Sequence, residues 1–347
     1  MNAPGIKDLR PLALGELIDR SATFWRAHIK PLFLLCFGFE LINYILSKSV
    51  VVALERGNLF FKGGPELQSR MENDPTSLFG DLGTMMGATS VLWVVLIWSY
   101  WLSTLVVARY VVPVQLGESA LPADGLRRGL HRLGSFTGAY VLTQLWGLGI
   151  SLLMMLPGGA LILLGALLSQ TGSNSRPATI AGLLLIAGGA LLAMLGGLAA
   201  LFWYFLRFSL LAPVFAMEDL STLGSFRRSG DLISGRVAPG FMGRVKVRAM
   251  ILFTVVAGIL IAVSFVSGLP AWIVRFAYGN PFDAAAAAAN PIPQTLLVPV
   301  ELLQVVGQSF FTPLALVFSA MFYLDMRMRR EGLDLERRLD NRPPTSA

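Results

Sequence analysis

Residues 206–241 read LRFSLLAPVFAMEDLSTLGSFRRSGDLISGRVAPGF, and the fold turns on what this stretch is. A long, almost unbroken apolar run precedes it, and another follows once Arg244, Lys246 and Arg248 are passed. Apolar runs of that length reach across a bilayer, so the stretch between them reads as the polar turn joining two membrane spans. Its order is Pro213, then the acidic pair Glu218 and Asp219, then a helix-like segment carrying Arg227, Arg228 and Arg236, then Pro239 at the mouth of the next run. The expectation is an all-α, polytopic membrane protein.

Composition agrees. Of 347 residues, 54% are hydrophobic and only 14% charged, with a mean hydropathy of +0.64. Soluble domains carry about a quarter of their residues as charges, so lipid is the solvent here. A lone cysteine, Cys36, rules out an internal disulfide or thiolate cluster, and two histidines, His28 and His131, are too few for an all-histidine metal site. No metal and no cofactor is expected. The net charge of +7 reads as the basic excess of cytoplasmic loops, not as a nucleic-acid footprint. Residues 1–30 hold Glu16, Asp19, Arg20, Arg26 and Lys30 and lack the short apolar core of a cleavable signal.

Taken in order, residues 1–30 show Leu14, Leu17, Ile18, Trp25 and Ile29 near helical spacing, the pattern of a helix lying on the inner membrane surface. Span one runs from Pro31 to about Val52 and holds Glu40, Asn43 and Lys48; a net-acidic loop with Glu55, Glu66, Glu72, Asp74 and Asp81 follows. Span two runs from about Gly87 and ends at Pro113. Span three begins near Phe136 and is interrupted at Pro157, Gly158 and Gly159, where a kink or turn is expected. The polar turn 170–177 leads into span four, where Gly189, Ala193 and Gly197 fall four apart and allow a neighbour to come close. Span five covers about Ala249 to Val274, and Asp283 with six alanines up to Asn290 and Pro291 predicts an exposed helical turn. Span six covers about Leu296 to Tyr323. The expected division is an interfacial helix at 1–30, a six-span domain at 31–325 and a basic, disordered tail at 326–347.

Lysine and arginine alternate with the spans. Twenty fall in the N-terminal segment, the links after spans two and four, and the tail, whereas five (Arg56, Lys62, Arg70, Arg176 and Arg275) fall on the other side. Both termini are therefore expected in the cytoplasm of a bacterial inner membrane. The basic segments also resemble one another: Arg20-Ser21 with Pro31 and Phe33 stands 208 positions before Arg228-Ser229 with Pro239 and Phe241, and Arg127-Arg128 stands 100 before Arg227-Arg228. Three units are expected, each an amphipathic interfacial helix followed by a two-span hairpin. Such repeats often place a binding site at their interface.

Three segments carry a family likeness: Leu14 to Asp19 (Leu-Gly-Glu-Leu-Ile-Asp), Pro213 to Ser229 with Glu218, Asp219 and Arg228, and the closing Asp325-x-Arg327-x-Arg329-x-Glu331-Gly332-x-Asp334-Leu335. Together they make the chain resemble the glycerophosphoryl diester phosphodiesterase membrane domain family. The resemblance implies six helices in a bacterial membrane. It does not imply the phosphodiesterase activity, which belongs to a soluble barrel that some members carry and that residues 1–347 have no room for.

Ionisable groups inside spans cost several kcal/mol unless paired or wetted, and so mark function by default. Glu40, Asn43 and Lys48 in span one and Glu301, Gln304 and Gln308 in span six form the candidate polar site, with Lys48 and Glu301 at matching depth if the two spans adjoin. The plainer reading of the same residues is a structural ion pair, or a lysine snorkelling to the interface. Arg20, Arg127, Arg128, Arg227, Arg228 and Arg236 are candidate contacts for anionic lipid or a protein partner, and topology alone also accounts for them. No phosphate loop, zinc-protease helix or nucleophile elbow occurs, so no catalytic residue is named. The first functional expectation is a non-enzymatic scaffold, assembly factor or accessory subunit, with oligomerisation open. The alternative is a small-solute or lipid transporter using spans one and six, and a lipid enzyme comes last.

Overall fold

The computed structural model describes residues 10–57, 75–171, 175–237, 239–241, 243–279 and 292–333. Among the described residues it is 88% helix with no strand. The helices are α1 (Leu14–Ala27), α2 (Ile29–Gly57), α3 (Pro75–Gln115), α4 (Pro122–His131), α5 (Leu133–Thr171), α6 (Arg176–Phe208), α7 (Leu211–Met217), α8 (Thr222–Ile233), α9 (Val245–Ala277) and α10 (Gln294–Glu331). Six stretches are long and apolar enough to cross a bilayer: α2, α3, α5, α6 with α7, α9 and α10. The chain is a multi-pass membrane protein.

The turn expected across 206–241 is mostly helix. α6 continues to Phe208, Leu211 to Ala216 are buried in α7, and α8 follows; the loop is confined to 234–244. Arg207 does not end α6 because its guanidinium is taken up by aromatic faces, 5.0 Å from the Trp146 ring centre and 5.2 Å from that of Trp203, which stack on each other at 4.0 Å. Arg236 lies beyond α8 in that loop, in a single antiparallel bridge with Arg244.

Proline stops less than expected. α3 passes through Pro113 to Gln115 and α5 runs unbroken through Pro157. Proline removes one donor, and neighbouring helices in a membrane compensate for that loss. α10 likewise extends to Glu331, so the boundary drawn at 325 falls inside a helix, which Gly332 ends in the left-handed conformation (φ 65°) with its N–H bonded to Met328 O. The acidic-loop residues Glu66, Glu72 and Asp74, the alanine segment from Asp283 to Pro291, and Asp334 with Arg337, Arg338 and Arg342 lie outside the described residues.

Two compact units emerge. The first comprises residues 1–131 and 251–347 and is built around α10, against which α1, α2 and α3 pack. From Ala315 to Met326 every α10 side chain is buried, polar Ser319 and Asp325 included. A helix apolar on all sides belongs in the middle of a bundle. α1 sets Leu17, Ser21 and Phe24 inward, and Ser21 Oγ is satisfied by Leu17 O at 2.7 Å. Just ahead of α1, Leu12 is latched to the far end of α10: its N–H donates to Asp325 Oδ1 at 2.9 Å, and Arg329 Nη2 donates to its carbonyl at 2.6 Å.

The second unit comprises residues 132–250 and is dominated by the pairing of α5 with α6. The two helices touch through small residues. A Cβ on Gly158 would lie 2.4 Å from Ala193 N, one on Gly189 2.7 Å from Gly158 O, and one on Gly196 2.3 Å from Met154 O. Gly189 and Ala193 allow the close approach expected of them, here within the chain, but Gly196 and not Gly197 makes the third close approach; a Cβ on Gly197 would meet only Met155 at an ordinary 3.7 Å. Away from the seam, Leu152, Leu163 and Leu184 are more than 60% exposed, an apolar surface suited to hydrocarbon.

Candidate functional site

α2 carries polar groups at helical spacing, Glu40, Asn43, Ser47, Lys48 and Glu55, on a mostly apolar helix. α10 answers with Gln294, Glu301, Gln304, Gln308 and Thr312 at the same spacing. Residues three, four and seven apart share a helix face, so each helix presents a polar stripe. α2 packs on α10, and the stripes line one open cleft of about 980 Å³ in the first unit, completed by Leu96 and Tyr100 of α3 and Arg275 of α9.

Glu301 is the centre of the cleft. Its Oε2 accepts from Lys48 Nζ at 2.9 Å and from Tyr44 Oη at 3.1 Å, while Oε1 lies 3.5 Å from Arg275 Nη2. The Lys48 and Glu301 side chains are 20% and 14% exposed, so the pair is shielded but reachable. One carboxylate thus faces two cations. Two turns further along α2, Glu40 accepts a single hydrogen bond from Thr312 Oγ1 at 3.2 Å. Asn43 Oδ1 is buried and has no hydrogen-bond partner among the described residues. A buried acceptor left unmatched costs about 1–3 kcal/mol, which marks it for a donor from elsewhere. Gln308 donates to Ser264 Oγ of α9 at 3.0 Å, and Gln304 lies against Gly268.

All six polar residues named from the sequence line this cleft. The spacing of Tyr44 and Ser47 from Glu40 and Lys48 is also there to read but is not picked out from the sequence; Glu55 and Asp81, expected in the loop, lie in α2 and α3 because both helices extend past their apolar runs, and Arg275, counted for topology, joins the cleft. The remaining named residues are spread widely. Glu218, Asp219, Arg228 and Ser229 form ties in the second unit: Arg228 Nε lies 3.0 Å from Glu218 Oε2, Ser229 Oγ donates to Arg207 O, and Arg132 donates to the carbonyls of Glu218 and Leu220 while standing 3.9 Å from Asp219. Pro213 is buried in α7. Asp325 and Arg329 hold Leu12, and Arg327 pairs with Glu331 at 2.9 Å one turn on. Among the described residues of the family likeness, Glu218, Arg228, Ser229, Asp325, Arg327, Arg329 and Glu331 thus make internal ties. Arg227 and Arg236 are exposed, and Arg20 lies on α1. Among the described residues no group of three or more metal-ligating side chains occurs.

No family model, no curated protein and no solved structure matches the chain.

Proposed function

We propose that this is a non-enzymatic multi-pass protein whose first unit binds, and passes along, a small polar or amphipathic solute through the cleft between α2 and α10. The carrying observation is the cleft itself: a dry, closed bundle would leave Lys48 and Glu301 as a mere structural pair, whereas an open space of about 980 Å³ with an unmatched acceptor at Asn43 supports a ligand. The protein sits in a bacterial inner membrane with both ends in the cytoplasm, a reading supported by the distribution of arginine and lysine.

The element order supports a threefold origin. A short helix precedes two long ones three times, as α1 with α2 and α3, α4 with α5 and α6, and α8 with α9 and α10. The offset of 100 that relates Arg127-Arg128 to Arg227-Arg228 also relates Pro113 to Pro213 and Glu118 to Glu218. Kinship with the glycerophosphoryl diester phosphodiesterase membrane domain belongs to the same reading and rests on the sequence segments alone. A second reading, a scaffold or accessory subunit, is favoured by the use of the motif residues Asp325, Arg329, Glu218 and Arg228 as internal ties.

The test is water access. With Cys36 replaced by alanine, a cysteine at Ser47 is expected to react with a membrane-impermeant thiosulfonate about as readily as one at Glu55. Reaction at Glu55 with none at Ser47 overturns the solute-binding reading.

A further inference from the structure

A second recess in the first unit lies between α3 and α4 and has a volume of about 430 Å³. Its construction follows from helix periodicity. Gly125 and Gly129 press α4 onto α3 so closely that a Cβ on Gly125 would lie 2.3 Å from Val106 O. That contact fixes the roll of α4 and turns Asp124, Arg127, Arg128 and His131, spaced three, four and seven apart, toward the recess. Opposite them stand Arg109 and Pro113 of α3, and Glu118 and Ser119 close one end.

Arg109 is the anomaly. It sits in the apolar run Leu105 to Val112, whose neighbours are buried, and such a residue inside a span needs a partner. Neither Arg109 nor Arg127 makes a hydrogen bond or ion pair among the described residues. Asp124 already accepts from Leu121 N at 2.9 Å as the cap of α4. Three guanidinium groups and an imidazole thus converge on a recess that also holds two carboxylates, Glu118 and Asp124. On the outer side of α4, Leu126 and Leu130 are 43% and 72% exposed, an apolar edge beside a cationic recess.

We propose that this recess is a phosphate site, with Arg109 and Arg127 as its principal ligands and Arg128 and His131 completing the ring. Guanidinium groups pair with phosphate oxygens through two parallel hydrogen bonds, and basic recesses between spans on the cytoplasmic side suit lipid head groups. The phosphate comes from an anionic phospholipid whose chains lie along Leu126 and Leu130, or from a soluble phosphate. The site is separate from the α2–α10 cleft and stands without the transport reading.

The experiment uses the full chain in a neutral detergent and follows its thermal unfolding on titration with dihexanoyl phosphatidic acid, inorganic phosphate and dihexanoyl phosphatidylcholine. Phosphatidic acid is expected to raise the midpoint saturably, and R109Q and R127Q each to weaken its apparent Kd about tenfold, equivalent to about 1.4 kcal/mol. R176Q, on an exposed arginine of the second unit that belongs to neither candidate set, is expected to leave the Kd unchanged. Binding of phosphatidic acid alone assigns the phosphate to lipid, and equal binding of inorganic phosphate assigns it to a soluble anion; both support the site. Because Arg127 is exposed, R127Q tests the idea even if R109Q unfolds. An unaltered Kd in R127Q, or no shift with either phosphate compound, overturns the proposal.

Discussion

Single residues carry the sharpest consequences. Replacing Glu301 by Gln leaves the shielded Lys48 and the more exposed Arg275 with no carboxylate between them, and breaking the shielded Lys48 pair costs more than the pair contributes. Because both partners retain some exposure, a loss of about 1–3 kcal/mol is expected by denaturant unfolding in micelles, with Lys48→Met partly restoring the double variant. Asp325 is wholly buried, and Asp325→Ala frees both Arg329 and the Leu12 N–H. A loss of about 3–5 kcal/mol is expected, together with faster proteolysis ahead of α1. Glu16 gives a pH signature outside the spans. The Ala13 N–H first, and Arg10 second, hold its carboxylate below the usual range. A depressed carboxylate stabilises above its unfolded value and loses that contribution as pH falls through the folded one, so protection of the Ala13 amide against hydrogen exchange is expected to drop on acidification. Glu16→Gln is expected to abolish the dependence.

At the level of elements, the α5–α6 seam sets the next prediction. Gly196→Ala forces a methyl against Met154 O and is expected to lower stability by about 1–3 kcal/mol, while Gly197→Ala stays within about 0.5 kcal/mol of the parent. Thermal unfolding of the two variants checks the difference. The contrast also shows what a linear sequence holds back. A spacing of four names a face, and Gly189 and Ala193 were legible as contacts; the register that brings Gly196 under Met154 is fixed by a partner helix absent from any local window. Proline misled for a related reason. Pro113 and Pro157 both lie inside helices, because packing and the lack of competing water keep the helix going where local propensity would end it.

Across the molecule, the six apolar stretches were plain in the chain because a bilayer's thickness imposes its own length on sequence. The polar site was half legible. Lys48 and Glu301 stood out as charges in apolar surroundings and prove to be 2.9 Å apart, but Arg109 and Arg207, equally out of place, went unremarked, and nothing local reveals that one lines a recess while the other is absorbed by tryptophan rings. The division into two units was not legible at all, because it joins residues 251–347 to residues 1–131 across an intervening segment. Topology gives the remaining prediction: in the absence of Cys36, a cysteine at Ser119 is expected to be labelled from the cytoplasm only, and one at Glu55 from the outside only.

The placement of α10 has a bearing on how the protein is made. The helix that fills the middle of the first unit leaves the ribosome after every residue of the second, so α2 and α3 enter the membrane with their central partner still untranslated. Residues 132–250, being contiguous, close as soon as they are inserted. Biogenesis of the first unit therefore requires α2, with Glu40 and Lys48 exposed along it, to wait in the bilayer or in the keeping of an insertase until α10 arrives.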